Sequence, residues 1–199
     1  MKKSLITLLV IGGLVVVAFL WGIGINNKLV GTEENVSKEW AQVENAYKRR
    51  ADLIPQLVAT VQGAANYEKG TLTEVVEARS KATSVQVDAN ELSEANVAQF
   101  QKAQDALSNA LTRSMNVVVE RYPELTATQG FRDLQVQLEG TENRIATARG
   151  NFNDAVNSYN KMLRMFPNNI IAGICGFDKK GYFTAPAGSE EPVKVDFDF

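Results

Sequence analysis

Positions 5–25, LITLLVIGGLVVVAFLWGIGI, carry no charged residue. As a helix rising about 1.5 Å per residue, this run is roughly 30 Å long, the thickness of a bilayer's hydrocarbon core. It exceeds the roughly 7–15 residue core of a cleaved leader and ends in Phe19, Leu20 and Trp21 rather than small residues. A retained transmembrane helix at about 5–25 is therefore expected, within an anchor over 1–30. Beyond it the apolar positions become periodic. Val36, Trp40, Val43, Tyr47, Ile54, Leu57 and Val61 recur in steps of three and four, interrupted in phase only by Arg50. This predicts a long amphipathic helix that starts at Thr32 with Glu33 and Glu34 and ends near Gly70.

A second helix is expected from a capping box, Thr71 with Glu74, and positions 84–91 read as a connection. A third helix over 91–121 stops before Pro123, because proline disfavours helical geometry in the residue preceding it. The fourth is the most regular: Phe131, Leu138, Ile145, Phe152, Tyr159 and Phe166 repeat every seven residues, a heptad seam about 55 Å long. The chain thus reads as all-α: an N-terminal transmembrane helix, a long antiparallel four-helix bundle over 31–166, and a non-helical tail over 167–199. Pro167, Gly173, Gly176, Gly181, Pro186, Gly188 and Pro192 break up that tail. Its Ile170, Ile171, Ile174, Phe177, Tyr182 and Phe183 are expected to pack on the bundle, and 193–199 to be extended.

Composition narrows the chemistry. The 199 residues contain no histidine and one cysteine, Cys175, which excludes histidine triads, histidine metal sites and an intramolecular disulfide. Di-iron bundles need Glu-x-x-His pairs, so that pattern fails as well. The formal charge is −2, and the first 30 residues hold three lysines and no acid. The rest is therefore net acidic, without the basic surface of a nucleic-acid partner. Lys2 and Lys3 before the apolar run, against Lys28 alone behind it, place the N-terminus in the cytoplasm and the bundle outside it.

Four separated blocks resemble the LemA family: WAQVENAYKRRADLIPQLVATVQGAANYEKGTLTEVVEAR at 40–79, VVVERYPEL at 117–125, LEGTENRIATAR at 138–149 and YNKMLRMFPNNIIAGICGF at 159–177. The resemblance implies a bacterial single-pass protein of the cell membrane with a long helical bundle. It brings no established enzymatic activity, and through a relative in magnetosome-membrane biogenesis it points toward membrane organisation.

The candidate chemistry is sparse. Arg49, Arg50 and Asp52 precede Leu53-Ile54-Pro55, and helical phase draws Arg50 toward the core. Arg79 falls among apolar neighbours, with Glu120, Glu139 and Glu142 as candidate partners. This is either an anion-binding or relay site or a set of interhelical pairs that fixes register. Pro55 lies inside the first helix as a hinge or a fixed bend. Gly140 and Gly150 fall on the outer face of the fourth helix and, with Phe197 and Phe199 of the alternating tail, form a candidate interaction surface. Cys175, among apolar and glycine neighbours, is expected to be packed. No catalytic, cofactor or metal residue emerges. The expected function is a non-enzymatic membrane scaffold whose partners are the lipid bilayer, other membrane or envelope proteins, or further copies of itself. The alternative is an adaptor or regulatory subunit of a membrane enzyme such as a protease.

Overall fold

The computed structural model describes residues 2–63 and 72–185. Among these the chain is all-helical: α1 (Lys2–Gln62), α2 (Thr73–Ser84), α3 (Glu94–Arg121), the single turn α4 (Pro123–Thr126), α5 (Gln129–Arg164) and α6 (Asn168–Cys175). The N-terminal part of α1 is long and apolar enough to cross a membrane, and Leu9, Leu14, Val17, Phe19 and Trp21 on it are all exposed.

The expected helix start at Thr32 does not exist. The Thr32 hydroxyl donates back to the carbonyls of Lys28 and Leu29 at 3.2 and 2.9 Å, as Ser and Thr do inside a helix. One buried stripe, Ile25, Leu29, Val36, Trp40, Val43 and Tyr47, runs through the junction. Cap residues mark a local preference, and tertiary burial along the stripe overrides it here. At its far end α1 stops at Gln62, short of Gly70.

Two helix pairs, α1 with α5 and α2 with α3, pack in opposite directions. Along α1 and α5, Thr32 meets Met162, Trp40 meets Phe152, and Arg50 meets Glu142. Along α2 and α3, Glu74 pairs with Arg113 and Ala82 with Gln104. The Ser93 hydroxyl caps α3 by accepting from Asn96 N–H, and α3 ends at Arg121 before Pro123. Thr128 caps α5 in the same way. The expected capping residue of α2, Thr71, lies outside the described residues, and Leu72 in the N-cap place makes no side-chain cap.

The segment after α5 departs from expectation. It contains a helix, α6, where glycine and proline seemed to forbid one. Pro167 stands just ahead of its first turn, where a missing N–H costs nothing. Gly176 ends it in the left-handed conformation at φ 76°. Phe166, expected in the seam of α5, falls beyond the helix and is 82% exposed.

Two apolar clusters fill the interior. One holds Ile25, Leu29, Trp40, Tyr47, Phe100, Phe152, Tyr159, Ala172 and Phe183. The other holds Leu53, Leu57, Val75, Leu107, Val118, Phe131 and Leu138. On every long helix the second cluster begins where the first leaves off, and polar side chains occupy the gap.

Candidate functional site

The gap between the clusters is a polar layer centred on Arg50. The helical phase that carries Tyr47 and Ile54 inward also carries Arg50, which is only 2% exposed. Its guanidinium donates to the Gln104 carbonyl at 2.8 Å, to Gln104 Oε1 at 3.0 Å and to Glu142 Oε1 at 3.0 Å. It also lies 5.0 Å from the centre of the Tyr47 ring. Gln104 Nε2 reaches on to the Ala82 carbonyl of α2 at 3.3 Å. The neighbouring Thr141, buried within the α5 seam, satisfies its hydroxyl on the Gln137 carbonyl at 2.7 Å. One guanidinium therefore joins α1, α3 and α5, and Gln104 extends the layer to α2. A planar fork suits this role where a lysine would not. The guanidinium finds its hydrogen-bond partners within the protein.

The other expected members do not converge on Arg50. Arg49 and Asp52 are exposed and line an open groove of about 770 Å³ between α1 and α5, with Gln137 and Arg144 opposite. Glu120 and Glu139 are exposed on α3 and α5. Arg79 has a different task. Pro55 lacks an N–H, so the Ala51 carbonyl one turn back loses its helical partner, and Ala51 is buried. Arg79 Nε donates to that carbonyl at 2.7 Å. Cys175, expected to be packed, is exposed. Gly140 and Gly150 are exposed with open space over their α-carbons. Phe197 and Phe199 lie outside the described residues. Among the described residues no three carboxylate or thiol side chains converge as a metal site would require.

A second constellation was foreseen only in outline: Phe183 packs on the bundle as expected, whereas Ile170, Ile174 and Tyr182 are exposed and the residues that hold the segment were not singled out. The extended segment 178–185 lies against α3 and α5, held by side-chain amides. Asn160 accepts from Lys180 N–H and donates to the Lys180 carbonyl at 3.0 and 2.9 Å. Asn153 holds Phe183 in the same way at 2.9 Å both ways. Gln101 holds Thr184 at 3.0 and 2.9 Å. Each amide closes a two-bond ring with one residue's main chain and replaces a neighbouring strand. Gly181 donates to the Leu92 carbonyl at 2.8 Å, and a β-carbon there would come within 2.6 Å of Glu94 Cα. Lys180 pairs with Glu33 at 2.8 Å. Phe183 stacks on Trp40, with centroids 5.9 Å apart and planes 15° apart. The only available signal was that Asn153 and Asn160 each follow a seam aromatic, Phe152 and Tyr159, at the same seven-residue spacing.

Two buried phenols complete the interior. The Tyr47 and Tyr159 hydroxyls make no hydrogen bond of ordinary geometry, and Arg149 and Glu33 are charged groups that face them. Burial pushes both phenols above their usual value of 10.0, and Glu33 adds to the effect at Tyr159.

Over 91 residues the chain is 34% identical to magnetosome protein MamQ 2 of Paramagnetospirillum magneticum, which covers 46% of this chain and 33% of that protein. Over 150 residues it is 24% identical to protein LemA of Metamycoplasma hominis, covering 75% of this chain and 64% of that one. Magnetosome protein MamQ of Magnetospirillum gryphiswaldense is 31% identical over 91 residues, with 46% and 33% covered. The chain therefore spans about a third of the magnetosome proteins it matches and just under two thirds of the mycoplasmal protein. The names of these relatives state no reaction. The LemA family model matches residues 39–197, most of the chain, and the protein belongs to the LemA family.

Proposed function

We propose that the protein is a non-enzymatic scaffold anchored in the bacterial cell membrane by a single pass. In this reading 1–30 form the anchor, 31–166 an antiparallel four-helix bundle and 167–199 a C-terminal tail, packed on the bundle or extended. The observation that carries it is the unbroken α1: the helix exposing an apolar face at Leu9–Trp21 also supplies the central core residues Trp40 and Tyr47. A bundle built on its own anchor holds a fixed attitude to the bilayer, which suits presentation of a surface rather than enclosure of a substrate. Lys2 and Lys3 favour a cytoplasmic N-terminus and an extracytoplasmic bundle. The chain is similar to a magnetosome protein over 91 residues, and a role in organising membranes is part of this proposal.

Copies of the chain are the proposed first partner, because confinement to a plane raises their effective concentration. The face is the one bearing Gly140 and Gly150, where open space admits close approach. Crosslinking in intact membranes, followed by native mass measurement in nanodiscs, tests this reading. It predicts a discrete oligomer that weakens when both glycines become alanine. A monomer in both measurements contradicts it, and stoichiometric capture of a membrane enzyme instead would establish an adaptor.

A further inference from the structure

We infer that the 165–177 segment, centred on α6, is a second membrane contact: a wedge seated at the boundary between acyl chains and headgroups. This rests on the reading of α1 as an anchor. Four large apolar side chains stand exposed here: Met165, Phe166, Ile170 and Ile174, at 52, 82, 51 and 77%. No charged residue occurs between Arg164 and Asp178. An isolated patch of this kind would leave its occupant open, but its position on α1 names one. Ile171 Cδ1 lies 3.5 Å from where a β-carbon on Gly22 would stand. Ala172 is buried in the cluster that contains Ile25 and Leu29. Gly22 and Ile25 belong to the last turn of the uncharged run 5–25, beside exposed Trp21 and Ile23. Any bilayer that covers the apolar face of α1 up to that turn meets α6 at its edge, so both surfaces are covered by the same lipid.

The charges above this level agree. The contact between Thr32 and Met162 sets the last turn of α5 beside positions 28–32 of α1. Lys28, Lys161 and Arg164 are exposed there, within reach of anionic headgroups. Of the acids at this level, Glu33 is paired with Lys180, whereas Glu34 and Asp178 are exposed, with Lys179 beside the latter. Amphipathic elements with apolar side chains below and cations above settle in the interfacial plane. Together with α1, the wedge would fix both the depth and the tilt of the bundle.

The exposed Cys175 provides a native reporter. The full chain, labelled there with an environment-sensitive fluorophore, is placed in phosphatidylethanolamine–phosphatidylglycerol vesicles with brominated acyl chains. Comparison labels go on Phe19→Cys and Val136→Cys, each with Cys175→Ser. Severalfold quenching at 175 and 19, with none at 136, is expected. Phe166→Ser with Ile170→Ser and Ile174→Ser, all at exposed positions, should abolish quenching at 175 while helicity and quenching at 19 persist. Quenching at 19 but not at 175 overturns the wedge alone. Silence at 19 overturns the anchor, and the wedge with it. Quenching at 175 that survives the triple substitution overturns the assignment of these side chains to lipid.

Discussion

Pro55 and Arg79 explain each other. The proline removes an N–H near the C-terminal end of a 61-residue helix, and an arginine from the next helix supplies the missing donor to Ala51. Arg79→Ala alone should cost about 1–3 kcal/mol, because it leaves a buried carbonyl without a partner. In a Pro55→Ala background the carbonyl regains its helical partner, and the cost should fall by more than half. A double-mutant cycle in urea measures the difference, and equal costs in both backgrounds would refute the coupling. The buried phenols give a prediction in pH. The unfolded chain releases the Tyr47 and Tyr159 protons near 10, whereas the folded chain holds them to higher pH. Their contribution is therefore fully present below about pH 10 and is lost as pH rises through the folded values. Helicity followed with tyrosinate absorbance should fall in the alkaline range, and Tyr47→Phe with Tyr159→Phe should delay the fall. Alkaline unfolding identical in both proteins would contradict this. Arg50 was legible in the sequence because phase alone carries it inward. Its acceptors were only half legible: Glu142 was among the candidates, and Gln104 gave no charge signal.

At the scale of elements, what the sequence revealed depended on whether the stabilising force was local. The end of α3 at Pro123 and the seam of α5 could be read directly, since proline sterics and heptad spacing act within a few residues. The continuity of α1 through Thr32 could not, because Thr-Glu-Glu serves equally as a start or an interior and only packing against α5 and α6 decides. Helix α6 was hidden among glycines because its closure uses one left-handed residue, Gly176. In the strap at 178–185 the burial of Phe183 was legible from its apolar character, but the clamp was not: its partners are uncharged side-chain amides on distant helices, marked only by the seven-residue spacing of Asn153 and Asn160. Gly181→Ala drives a β-carbon into the backbone of residue 94 and should cost about 1–3 kcal/mol by overpacking. Asn160→Ala leaves Lys180 N–H and C=O unpaired in a buried place and should cost a similar amount. Chemical denaturation checks both, and hydrogen exchange should locate the loosening at 178–185. Protection there that is unchanged from the parent protein would rule out the clamp.

At the scale of the whole molecule, the bundle and the apolar stretch of α1 are mechanically connected. The Arg50 layer separates a cluster reaching down to Ile25 from one reaching up to Val118 and Phe131, and α1 threads both before entering its apolar stretch. The most direct test is the distance between spin labels at Phe19→Cys and Lys38→Cys, with Cys175→Ser, in the full chain in nanodiscs. The two sites are exposed on either side of the junction at Thr32, and a continuous helix separates them by about 28 Å of rise. A single narrow distribution near that length is predicted. A broad or bimodal distribution would mean that the anchor and bundle are joined by a hinge, and would contradict the rigid-arm account.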